Sequence, residues 1–125
     1  MIVLYTSPGC ASCKKVKNWL NEHDIDYIEK NTFTSLLQKS EIKYLLLRSD
    51  NGTDDIVSKR SKIIKQRKID VDSMTIDELT SFITHNPSVL KRPIMLSADN
   101  FLVGYDAEKI DIFKKNRSSL YDANI

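Results

Sequence analysis

The chain has 125 residues, a length that fits one compact domain with a modest core. Hydrophobic residues make up 41% and charged residues 29%, which fits an ordinary soluble globular protein rather than a disordered or membrane chain. Lysine and arginine number 19 against 17 acidic residues, and the resulting net charge of +2 is too small for general nucleic-acid binding by electrostatics alone.

The opening "MIVLYTSPGC" lacks the basic region and long apolar stretch of a secretory signal, and no apolar run nears the roughly 20 residues of a membrane span. A cytoplasmic protein with no membrane partner is expected. "IVLYT", residues 2 to 6, is β-branched and aromatic and is followed by Ser7, Pro8 and Gly9, so it reads as a short buried strand ending in a turn. Val16, Trp19 and Leu20 then recur at helical spacing between Ala11 and Glu22, with Lys14, Lys15, Lys17 and Asn18 on the other face. That helix should begin at or just before Cys13. "DYIEKN", residues 26 to 31, alternates like a strand and completes a β-α-β unit, whose two strands should be parallel.

From Thr32 to Leu90 no clear strand is visible. Ile42, Leu45 and Leu46 predict a helix capped by Ser40. Asn51-Gly52 is a turn signal, after which "TDDIVSKRSKIIKQRK" can restart a helix with Thr53 as cap. Thr75 and Glu78 form a capping-box pattern ahead of Leu79, Phe82 and Ile83, and that helix should stop before Pro87. "RPIMLSADNFLVGY" predicts a hairpin of strands Ile94 to Leu96 and Phe101 to Val103 around Ser97 to Asn100. Asp106 can cap a final helix carrying Ile110 and Phe113, and the tail from 116 to 125 loses periodicity, as mobile termini do.

The fold class is therefore α/β: a thioredoxin-like mixed four-stranded sheet with an inserted helical block. A single discontinuous domain is expected, with its core in about 1–31 and 91–115 and the insertion in about 32–90.

Cys10 and Cys13 are the only cysteines, and in a reducing compartment a C-x-x-C pair reads more naturally as reversible redox chemistry than as a structural disulfide. The first turn of a helix offers unpaired N–H groups and a positive dipole end, both of which favour thiolate. A fall of the Cys10 thiol from ~8.5 to ~7 would raise its thiolate fraction at neutral pH from roughly 3% to about half. Lys14 and Lys15 can assist. Cys13, one turn on, can attack an oxidised Cys10 and close a disulfide, which makes Cys10 the sensing and Cys13 the resolving thiol. Two small buried residues are the plainer alternative. Zinc would need about four ligands, and His23 and His85 show no ligand spacing, so neither metal nor cofactor is expected. Pro93, just before a strand facing the cysteine helix, is expected to follow a cis Arg92–Pro93 bond; a trans proline opening an edge strand is the alternative.

"LYTSPGCASCKK", "NGTDDIVSKRSK", "LKRPIML" and "VGYDAEKI" stand in the order and spacing of the Spx proteins. Over residues 1 to 115 the chain resembles this family of regulators in the arsenate reductase (ArsC)-like branch of thioredoxin folds, and an ArsC/Spx-type fold follows from that. The resemblance implies a cytoplasmic stress regulator that binds the C-terminal domain of the RNA polymerase α subunit and meets promoter DNA only within the polymerase complex. It also implies a Cys10–Cys13 disulfide that raises regulatory activity, and a contact to the α subunit at Gly52. As a residue, Gly52 tolerates positive φ and a close partner backbone, although a plain turn glycine is the simpler reading.

Arg60 and Arg92 fall where arsenate reductases keep arginines near the catalytic cysteine, and guanidinium groups there bind oxyanions or support a redox site. Isolated arginines are more often solvated. The further arginine of the reductases is missing from "VGYDAEK", which disfavours the alternative function, a thiol-dependent arsenate reductase, and favours a non-enzymatic regulator. Lys59, Arg60, Lys62, Lys65, Arg67 and Lys68 form a basic run that can approach promoter phosphate, but the favoured reading is a solvated helix face. No helix-turn-helix or zinc-finger pattern is present. The family is commonly degraded by the ClpXP protease with an adaptor that recognises the C-terminal region, and the ending "YDANI" departs from the family's usual tail.

Overall fold

β1 (Ile2–Thr6), β2 (Tyr27–Asn31), β3 (Ile94–Leu96) and β4 (Phe101–Val103) form one mixed sheet in the order β2-β1-β3-β4. The computed structural model describes residues 1–114, so the expected mobile tail, 116–125, lies outside the described residues. β1 and β2 are parallel, with Leu4 opposite Glu29, as a β-α-β unit demands. β3 runs antiparallel to β1 and pairs Tyr5 with Ile94, and the hairpin to β4 closes through Ser97 N–H to the Asn100 carbonyl at 2.9 Å.

The chain divides into two compact units, one from Met1–Asn31 with the chain from Arg92 onward, the other Thr32–Lys91. In the first, α1 (Ala11–Glu22) lays Val16, Trp19 and Leu20 against Ile2, Leu4 and Met95 of the sheet. Ile110 and Phe113, both fully buried, complete this core. The final helix is not α-helical: Lys109–Phe113 is a 3-10 segment. At three residues per turn Ile110 and Phe113 lie in line and enter the core together, and an α-turn would rotate them apart. Asp106 still caps it, accepting from the N–H groups of Glu108 at 2.9 Å and Lys109 at 3.1 Å.

The second unit is helical, with α2 (Lys39–Arg48) packed on α5 (Ile76–His85) through buried Ile42, Leu45, Leu79 and Ile83. Thr75 caps α5 as expected, its Oγ1 accepting from Glu78 N–H at 3.1 Å while Glu78 accepts from Thr75 N–H at 3.0 Å. Two other caps differ from expectation. α2 starts after Gln38 rather than Ser40, because Glu41 reaches back to accept from Gln38 N–H at 3.2 Å. The next helix is capped by Gly52, with Thr53 as its first residue.

The single helix expected after the Asn51–Gly52 turn, capped by Thr53 and running toward Lys68, is two short ones, α3 (Thr53–Ile56) and α4 (Lys62–Arg67). Val57 leaves the helix to bridge Leu90. Ser58 N–H donates to the Val89 carbonyl and Lys91 N–H to the Ile56 carbonyl, each at 2.7 Å, while both bridge residues are buried. Burial of these two apolar side chains with paired backbone outweighs the few tenths of a kcal/mol per residue that helix propensity offers. Lys91 Nζ also holds the Asp54 carbonyl at 2.8 Å, so one lysine secures α3 by backbone and side chain. Among the described residues no helix is long and apolar enough to cross a membrane.

Candidate functional site

β1 ends at Thr6, and Ser7, Pro8 and Gly9 turn the chain so that Cys10 becomes the N-cap of α1. Its backbone is extended, with φ −89° and ψ 108°, which aims the sulfur at the open first turn. Cys10 Sγ accepts from the N–H of Cys13 at 3.2 Å, and a Cys10–Cys13 disulfide links Cα atoms 5.2 Å apart. The separation suits a disulfide without backbone movement. Cys13 is 2% exposed, whereas Cys10 is half-buried and the more accessible of the two.

The Arg92–Pro93 bond is cis, as expected, and Pro93 is buried. Continuing the β1–β3 register one step beyond Tyr5 and Ile94 sets Pro93 beside Thr6, at the sheet end from which the cysteine turn departs. Arg92 is half-buried, and desolvation lowers its pKa from the ordinary value. Arg60 belongs to the helical unit, exposed in the turn between α3 and α4.

The sequence did not reveal a support on the other side of the cysteine turn. Thr6, 1% exposed, donates its hydroxyl to Glu29 Oε2 at 2.7 Å, and Lys17 Nζ meets the same oxygen at 2.7 Å. One carboxylate thus ties the end of β1 to α1. The Lys17 bond above all, then that of Thr6, holds Glu29 below its usual pKa. A threonine and a glutamate twenty-three residues apart carry no local signal.

Gly52 lies at φ 60°, ψ −121°, a backbone region that side-chain-bearing L-residues avoid. Apart from its two chain neighbours, no atom of the described residues lies within 4 Å of the place a Cβ would take, so this side of the glycine stands open to a partner. The basic run is broken up. Lys59 sits between Asp54 at 2.7 Å and Asp72 at 2.9 Å, and these carboxylates raise its pKa. It is engaged in holding α3 to the 71–73 turn, while Lys62, Lys65, Arg67 and Lys68 remain exposed. Among the described residues no group of three or more His, Cys, Asp or Glu side chains is arranged to hold a metal ion.

The model of the ArsC family matches residues 5–113. The chain belongs to the ArsC family. Within it, the chain is 45% identical over 113 residues to proteins named global transcriptional regulator Spx from Lactiplantibacillus plantarum and Staphylococcus aureus, covering 90% of this chain and 86% of each relative. Solved structures share the ArsC-type fold. An arsenate reductase from Vibrio cholerae superposes with a TM-score of 0.70 at 17% identity, over 80% of this chain and 86% of its own. An arsenate reductase (ArsC) related protein from Brucella melitensis gives 0.63 at 19%, over 90% and 92%. At such identities these two establish the fold and nothing about reaction.

Proposed function

We propose that this ArsC-family chain is a redox-responsive transcription regulator rather than an enzyme. In this reading it is one domain, acting in the cytoplasm, that binds the C-terminal domain of the RNA polymerase α subunit around Gly52 and meets promoter DNA within that complex. The observation that carries the reading is the Cys10–Cys13 disulfide at the cap of α1 in a chain 45% identical to regulators named Spx.

The switch is chemically complete with a peroxide as oxidant. The Cys10 thiolate takes oxygen from the peroxide and becomes a sulfenic acid, releasing the alcohol or water. The Cys13 thiol then attacks that sulfur, expels water and forms the disulfide, so two thiols lose two electrons and two protons in all. Arg92 and Pro93, just before β3, are the proposed supports of the redox site, and Arg60 is a further candidate on the sequence resemblance alone. The ClpXP protease with an adaptor is a second proposed partner, through the tail beyond the described residues.

Binding of the full chain to the isolated α-subunit domain, with and without peroxide, tests the reading when paired with an arsenate-reduction assay. Gly52→Arg is expected to abolish binding: its side chain would project where a partner approaches, and since an L-residue is strained at φ 60°, circular dichroism and the melting temperature must show that the fold persists. Unchanged binding of that variant, or turnover of arsenate by the wild type, would overturn the proposal.

A further inference from the structure

The turn that presents Gly52 is held by more than its glycine. Asn51 donates twice to Asp55, by its backbone N–H to Oδ2 at 2.8 Å and by Nδ2 to Oδ1 at 3.2 Å. Asp55 N–H in turn donates to the Gly52 carbonyl at 3.1 Å, which also accepts from Ser49 Oγ at 3.3 Å. One half-buried residue therefore grips the chain on both sides of the glycine. The convergent donors, the Asn51 N–H foremost, keep the Asp55 carboxyl below its usual pKa.

We infer that Asp55 is a positioning residue for the Gly52 contact, holding Asn51 and Gly52 in the backbone shape that the polymerase domain reads. The inference rests on the reading that Gly52 faces that domain. The φ of 60° at Gly52 is one of many conformations open to a free glycine, and binding to a loose turn must first select it. Asp55 makes that selection before the partner arrives. Its carboxylate acts through the backbone of its neighbours, and the open side of Gly52 is left for the partner.

The test is the affinity of the full chain for the purified C-terminal domain of the polymerase α subunit. Asp55→Ala is expected to weaken binding about tenfold, the equivalent of one hydrogen bond to a charged group. Asp55→Asn should fall between that variant and wild type, because its amide oxygen accepts one bond while its NH2 opposes the Asn51 amide. Thr75→Ala removes the cap of α5 and leaves the turn intact, so it should bind like wild type although it is less stable. If Asp55→Ala does not fold, Asp55→Asn at a near-native melting temperature decides. Wild-type affinity in the Asp55 variants, with binding lost in Gly52→Arg, would overturn the positioning role and leave the contact standing. Equal weakening by Thr75→Ala would also overturn it, by making the effect one of general stability. Wild-type affinity in both Gly52→Arg and the Asp55 variants would remove the contact itself.

Discussion

The backbone N–H of Cys13 donates to the sulfur of Cys10 at 3.2 Å within the disulfide, so the sulfur that caps α1 is also one of the two that oxidation joins. The proposed sensing role requires Cys10 to be the nucleophile of the reduced pair, at the helix start where N–H groups face a cap residue. Cys13 is only 2% exposed, so an alkylating reagent reaches it less readily than half-buried Cys10. In the reduced protein at neutral pH, iodoacetamide should label Cys10 at least about tenfold faster than Cys13. Peptide mass spectrometry over a time course measures the ratio, and faster labelling of Cys13 would reverse the assigned roles.

Serine at either cysteine removes the disulfide without removing the fold's packing, since serine is smaller than cysteine by little. On the proposed function, Cys10→Ser and Cys13→Ser should each keep basal binding to the α-subunit domain and lose oxidant-dependent activation. Transcription from a responsive promoter with purified polymerase, before and after peroxide, gives the comparison. A wild-type oxidant response in both variants would place control elsewhere in the chain.

Glu29 carries a pH dependence whose sign follows from its partners. Lys17 and Thr6 hold its carboxylate below the ordinary value of 4.5, so the folded state is stabilised above the unfolded pKa and loses that stabilisation as pH falls through the folded one. The side chains of Lys17 and Glu29 remain about a third exposed, at 33% and 34%, so screening keeps the contribution below about 1 kcal/mol. Glu29→Gln should lower stability slightly at pH 7 and flatten the decline below pH 4.5, the ordinary glutamate value. Urea unfolding across that range measures both, and parallel wild-type and variant curves would contradict it.

Phe113 is fully buried beside Ile110 in the core under the sheet. Phe113→Ala should destabilise the chain by about 3–5 kcal/mol, a large part of the stability of a domain this size. Exposed Ile112, one residue earlier, is the control, and Ile112→Ala should change the denaturation midpoint little. Equal effects of the two would argue against the 3-10 segment.

The sequence alone determined the strand-turn-helix around Cys10 and Cys13, the Thr75–Glu78 capping box, and the hairpin from Ile94 to Val103. Each is written in residues a few positions apart, where a cap, a turn or an alternating pattern settles the backbone locally. The mixed sheet followed too, because the β-α-β unit and the hairpin leave few ways to join four strands. Tertiary structure alone decided the break in the helix expected after the Asn51–Gly52 turn, where Val57 pairs with Leu90, and the sharing of Glu29 by Thr6 and Lys17. It also decided that Lys59 serves Asp54 and Asp72 rather than open solvent. Such pairings join residues whose separation along the chain leaves no periodic trace, and they exist only once packing has brought the partners within hydrogen-bonding reach. Asp55 lies between the two cases: an acid three residues after a glycine is visible in "NGTDD", but that it grips Asn51 and thereby fixes Gly52 is a matter of folded geometry.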